Sequence, residues 1–226
     1  KFEGRPSVDI SGEPDEDHLF AIPNDDKEIA SIILRNGSLL TPKLKSVGRI
    51  LIPAYNASKQ KVLKNGTGWL ISNRVIVTNQ HVAKDFAHEK TFEMLPIPMP
   101  GWEPYINFHP DAVDPAFKVP ITKCFYMVKD DAKGLDFALC EIAPLPSTLA
   151  HLEPIECETS LHETLTPGAK IAVVGYPSEP KAGSEAPKVL DAINKVFNAN
   201  YGVKKFAAGQ VANIGRTGIL HDCSTL

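Results

Sequence analysis

The sequence predicts an all-β fold of barrel or sandwich type, and three observations carry that prediction. Short β-rich runs recur at Val47 to Pro53, Thr67 to Ile71, Val75 to Thr78, Val119 to Val128 and Leu135 to Ile142, with turn residues between them. The second and third runs form a hairpin: Gly66-Thr67-Gly68-Trp69-Leu70-Ile71 alternates, Ser72-Asn73 turns, and Arg74-Val75-Ile76-Val77-Thr78 returns as a β-branched strand. Only one stretch has a strong helical period. Between Pro187 and Asn198, Val189, Leu190, Ile193, Val196 and Phe197 recur at helical spacings, with the proline suited to a first turn.

In chain order, residues 1 to 45 differ from the rest. They are acidic and punctuated by proline and glycine through Asp26, then carry a short helical or extended patch from Glu28 to Leu34. This composition predicts an N-terminal extension: a linker, a propeptide or the remnant of an upstream module. Residues 46–226 then hold the strand signals. The segment from Pro96 to Pro115, rich in proline and aromatics and carrying His109, is expected to be a loop, and the Pro187 helix a surface insertion.

Composition excludes several function classes. A chain of 226 residues with 43% hydrophobic and 23% charged residues is an ordinary globular protein. A net charge of −3 and the lack of a basic patch interleaved with aromatics predict no nucleic-acid partner. No apolar run approaches the ~20 residues of a membrane span, and Lys1 to Pro6 lacks the apolar core of a signal peptide. Cys124, Cys140, Cys157 and Cys223 are too sparse for a disulfide scaffold and show no metal spacing, so free thiols are expected. A cytoplasmic location is the expectation, with secretion the alternative. In a secretory setting the sequons at Asn36, Asn56 and Asn65 would matter. His18, His88, His109, His151, His162 and His221 show no paired-ligand spacing, and Gly66-Thr67-Gly68 is no phosphate loop. No metal or cofactor is expected.

The hairpin ends in Thr78-Asn79-Gln80-His81-Val82-Ala83, and farther on stands Gly134-Leu135-Asp136-Phe137-Ala138-Leu139. These segments resemble the motifs around the histidine and aspartate of chymotrypsin/trypsin-like serine peptidases, most closely the bacterial trypsin-like and glutamyl-endopeptidase branch. The order His then Asp is that of this family. Lys170 to Pro177 resembles the family's strand into a Gly-Tyr-Pro turn. Tyr201 to Phe206, Gly209-Gln210-Val211 and His221 to Leu226 resemble the run that leads into its nucleophilic serine. The resemblance covers about Val47 to Leu226. It implies two six-stranded antiparallel Greek-key barrels, the first over about residues 46–145 and the second, incomplete, over about 146–226.

It also implies roles. His81 would take the serine proton and return it to the leaving amine; Asp136 would fix the imidazole tautomer and stabilise the imidazolium. Taken alone, Asp136 could instead be a strand-capping carboxylate. Ser224 and Thr225 would line the specificity pocket, a pair similar to that of glutamyl endopeptidases and favouring acidic residues, whereas Asp222 falls two residues too early to match the aspartate that selects Arg and Lys. The sequence departs from the pattern in one way: no GxSGG, GNSGS or GDSGG occurs, and Ser147, Ser160, Ser178 and Ser184 lack flanking glycines for an oxyanion hole. The nucleophile is therefore expected beyond Leu226, and this chain by itself is expected to be inactive. Two functions remain open: a serine endopeptidase acting on protein or peptide substrates, or a pseudopeptidase serving as a binding or regulatory module. An upstream regulatory domain or an associated C-terminal fragment is the further partner expected.

Overall fold

The structure, a computed structural model, describes residues 7–9, 27–55, 58–97, 99–109, 115–128, 135–157, 165–180, 186–197, 199–215, 218–221 and 223. Its elements in chain order are β1 (Val8–Asp9), α1 (Lys27–Lys45), β2 (Val47–Tyr55), β3 (Lys61–Ser72), β4 (Val75–Thr78) and α2 (Gln80–Ala83). Then follow β5 (Tyr105–Asn107), β6 (Lys118–Met127), β7 (Ala138–Ile142), β8 (Lys170–Gly175), α3 (Pro187–Phe197), β9 (Lys205–Ile214) and β10 (Ile219–His221). The chain is mostly β, and it divides into two units, Pro42–Cys157 on the one hand and Lys1–Thr41 with Glu158–Leu226 on the other.

The unit Pro42–Cys157 is a closed antiparallel barrel of six strands in the order β2-β3-β4-β7-β6-β5. Closure removes the unpaired edges that an open sheet of this size would expose. Strand alternation points Ala138, Cys140 and Ile142 inward from β7, and two register shifts in β6 let Val119, Ile121, Cys124 and Met127 all face the same interior. Ile50, Leu70, Ile76 and Ile106 complete the centre with no exposed surface. Cys124 and Cys140 are register partners across β6 and β7, and both are buried as small apolar groups.

Two departures from expectation lie in this barrel. The segment from Pro96 to Pro115 is not all loop: Tyr105–Asn107 forms β5, which pairs with both β2 and β6 and closes the ring. Three residues among prolines are too few to show a period of two, so nothing local marked them. Likewise β3 begins at Lys61, well before Thr67, pairing from Tyr55↔Lys61 onward. Its first half is wet on both sides, and a strand that buries neither face leaves no alternation in the sequence.

The other unit holds an open antiparallel sheet of four described strands, β1-β9-β10 with β8 also on β9. It is not a closed barrel among the described residues, in keeping with an incomplete second barrel. The helix α3 lies where the apolar period put it. Of the N-terminal segment, Val8 and Asp9 pair with β9, Ser7 donates to the Val196 carbonyl, and Lys205, buried, meets Asp9 and donates to the Phe197 carbonyl at 2.9 Å. The helix α1 is longer than the patch from Glu28 to Leu34, because Asn36-Gly37-Ser38 and Pro42 obscure its period without stopping it. Proline at position 42 lacks an N–H, and the Ser46 hydroxyl, whose other partner is the Glu153 carbonyl, bonds to the Pro42 carbonyl near the helix end.

Candidate active site

His81 and Asp136 come together through strand register. β4 and β7 run antiparallel with Thr78 opposite Ala138 and Val77 opposite Leu139. The chain leaves the end of β4 just where it enters β7, so residues three beyond Thr78 and two before Ala138 are neighbours. His81 Nδ1 lies 2.6 Å from Asp136 Oδ2, and the His81 backbone N–H donates to Asp136 Oδ1 at 3.0 Å. One carboxylate therefore holds both the main chain and the ring of the same histidine.

That contact sets the tautomer. A carboxylate only accepts, so the proton between the two groups belongs to Nδ1, and Nε2 of the neutral ring keeps its lone pair. The histidine side chain is 71% exposed, and among the described residues Asp136 is its one side-chain hydrogen-bond partner. The Nε2 lone pair is open to an incoming acid proton. Burial works to raise the Asp136 carboxyl, but the hydrogen bonds from the His81 N–H and ring, the ring's positive charge when protonated, and the Asn79 amide outweigh it. The net effect holds Asp136 below the usual carboxylate range.

Three neighbours not assigned roles from the motif complete the support. Gly66 on β3 has no side chain, and a Cβ there would stand 2.6 Å from both γ-methyls of Val82. The strand can thus approach the short helix that carries His81, which gives the glycine a packing reason. Gln80 turns inward, buried, and its amide donates to the Val128 carbonyl and to Glu89 Oε1. Asn79 donates from Nδ2 to the Asp136 carbonyl and to Oδ2, each at 3.2 Å. The polar Thr-Asn-Gln run before His81 was visible in the sequence, but which of its members faces the carboxylate depends on the turn into α2.

Ser224 and Thr225, expected from the resemblance to line a specificity pocket, lie outside the described residues, as do Ser160, Ser184 and Asp222. The structure brings together His81 and Asp136, but no described serine hydrogen-bonds to the histidine.

No protein-family model matches this chain, and no curated protein matches it in sequence. Solved structures similar to it include the scabies mite inactivated protease paralogue S-D1, at 14% identity and a TM-score of 0.47, covering 76% of this chain and 59% of that one. A structure described as GrC is similar at 12% identity and TM-score 0.43, over 76% of this chain and 62% of its own. HL collagenase is similar at 14% identity and TM-score 0.43, over 76% and 60%. The chain spans about three-fifths of the length of these structures.

Proposed function

We propose that this chain carries the general base and orienting acid of a trypsin-like serine endopeptidase, with His81 as base and Asp136 as its partner. The observation that supports it most is the double contact of Asp136 with one histidine, 2.6 Å at Nδ1 and 3.0 Å at the backbone N–H. That arrangement leaves Nε2 basic and exposed, as proton abstraction from a hydroxyl requires. In the reaction, the serine O–H proton passes to Nε2 as the serine oxygen bonds to the scissile carbonyl carbon. The imidazolium so formed is stabilised by the Asp136 carboxylate, then gives its proton to the amine nitrogen as the C–N bond breaks. The nucleophile is a serine outside the described residues, past Leu226 in the motif order. By the same resemblance, Ser224 and Thr225 line a pocket for an acidic side chain of a peptide substrate.

A fluorophosphonate probe, which reacts with activated serines, tests this on the native-length protein when the labelled mass and site are read together. The expected label falls on a serine beyond Leu226 and is lost in His81→Ala, while Asp136→Asn lowers peptide turnover by on the order of 10⁴-fold through the wrong tautomer. A label on Ser147 or Ser178, or one that persists in His81→Ala, would overturn the assignment. A folded native-length protein that takes no label would make the chain a pseudopeptidase module.

A further inference from the structure

We propose that Asn79 is a positioning residue: its side-chain amide, bonded to both the main-chain carbonyl and the carboxylate of Asp136, sets the rotamer that aims the carboxylate at His81. The inference rests on the dyad described above and names the group that orients it. Asn79 occupies the residue before the first turn of α2, with extended backbone at φ −71° and ψ 146°. An asparagine there ordinarily turns its side-chain oxygen onto the N–H two or three residues ahead. Here it makes no such bond. The N–H two ahead is that of His81, and Asp136 Oδ1 accepts it instead.

The exchange of partners has a chemical consequence. With Asp136 capping the turn, the Asn79 amide is released to face Asp136 itself, and both atoms it meets there, a carbonyl oxygen and a carboxylate oxygen, are pure acceptors. The NH₂ end must therefore point toward them, and it donates to both. Holding the main-chain and side-chain oxygens of one residue with a single planar group fixes the torsion between them. Oδ2 then accepts from Asn79 and His81 Nδ1 together, while Oδ1 accepts from the His81 N–H. Among the described residues every donor to the carboxylate comes from residues 79–81, so one tripeptide orients the dyad.

The test uses nuclear magnetic resonance on the chain itself and needs no turnover. In wild type, ¹⁵N shifts of His81 should show the neutral ring protonated at Nδ1, with the Nδ1 proton protected from solvent. Asn79→Ala removes the donor and the bulk; Asn79→Asp keeps the shape and replaces the donor with a like charge. Both should raise the titration of the Asp136 carboxyl, the aspartate variant more, and speed exchange of the Nδ1 proton by roughly three- to tenfold as one hydrogen bond is lost. Amide shifts in β4 and β7 should stay in place. If Asn79 served packing alone, the isosteric aspartate would behave as wild type in structure and leave the Nδ1 proton unchanged; that result, or an unmoved Asp136 titration in both variants, overturns the proposal. Asp136→Asn separates the two levels: if it leaves the His81 tautomer unchanged, the dyad itself fails, whereas an intact dyad insensitive to Asn79 defeats this inference only.

Discussion

At the scale of single residues, the Asp136 carboxylate carries two tasks at once: it orients an imidazole and it caps the turn that bears the imidazole. The first task has a signature in the sequence, because aspartate beside a strand run and histidine after a hairpin keep their order and context. The second does not, since which N–H a carboxylate accepts depends on a turn no pattern specifies. The capping task predicts a pH dependence of stability. Asp136 is held below the usual carboxylate range in the folded chain. Its contribution is thus fully present above the unfolded value of about 3.9 and is lost as pH falls through the lower folded value. Urea midpoints of wild type and Asp136→Asn should differ at about pH 6 and converge below about pH 3.9. The difference should be modest, because the side chain is 41% exposed and solvent screens its interactions. A gap that widens on acidification would show that some other group sets the effect.

Among elements, the junction of β3 with α2 positions His81, and Gly66 is its critical member. The Gly-Thr-Gly run could be read from sequence as part of a hairpin strand. The reason for its first glycine could not, because it lies in the distance between that strand and Val82, sixteen residues on. An alanine methyl at position 66 would overlap both γ-methyls of Val82 at 2.6 Å, and a β-branched side chain has few rotamers into which to retreat. Gly66→Ala should therefore destabilise the barrel by about 1–3 kcal/mol, as overpacking does. Val82→Ala in the same chain should recover most of that loss by vacating the space, although by itself it costs stability. Chemical denaturation of the two single variants and the double variant checks the coupling. Additive losses would mean that the strand, not the helix, absorbs the extra methyl. The same logic explains why the exposed half of β3 leaves no pattern in the sequence while Val75–Thr78 is legible in full: β4 buries Ile76, Val77 and Thr78, and burial on both faces keeps the run β-branched.

For the molecule as a whole, closure of the barrel is the feature that local sequence least revealed. Its shortest strand is β5, whose three residues complete the ring between β2 and β6. What compensates for that brevity is Ile106, fully buried and register partner of both Ile50 and Val119. Glycines on two other strands make room for it: a Cβ on Gly48 would meet its Cγ1 at 2.6 Å, and one on Gly68 its Cδ1 at 3.1 Å. A short strand is thus fixed by one large side chain in a slot built from missing ones. Because glycines cannot extend into a void, Ile106→Ala should leave a cavity that the surroundings do not fill and cost about 2–5 kcal/mol. Leu63→Ala, on the half-exposed end of β3, should stay within about 0.5 kcal/mol. Both tryptophans, Trp69 and Trp102, belong to the barrel unit, so their fluorescence during urea unfolding follows that unit alone. Equal midpoints for the two variants would mean that β5 does not close the barrel in solution. A large loss confined to Ile106→Ala would show that three residues and two facing glycines hold the ring that brings β4 and β7 into register at His81 and Asp136.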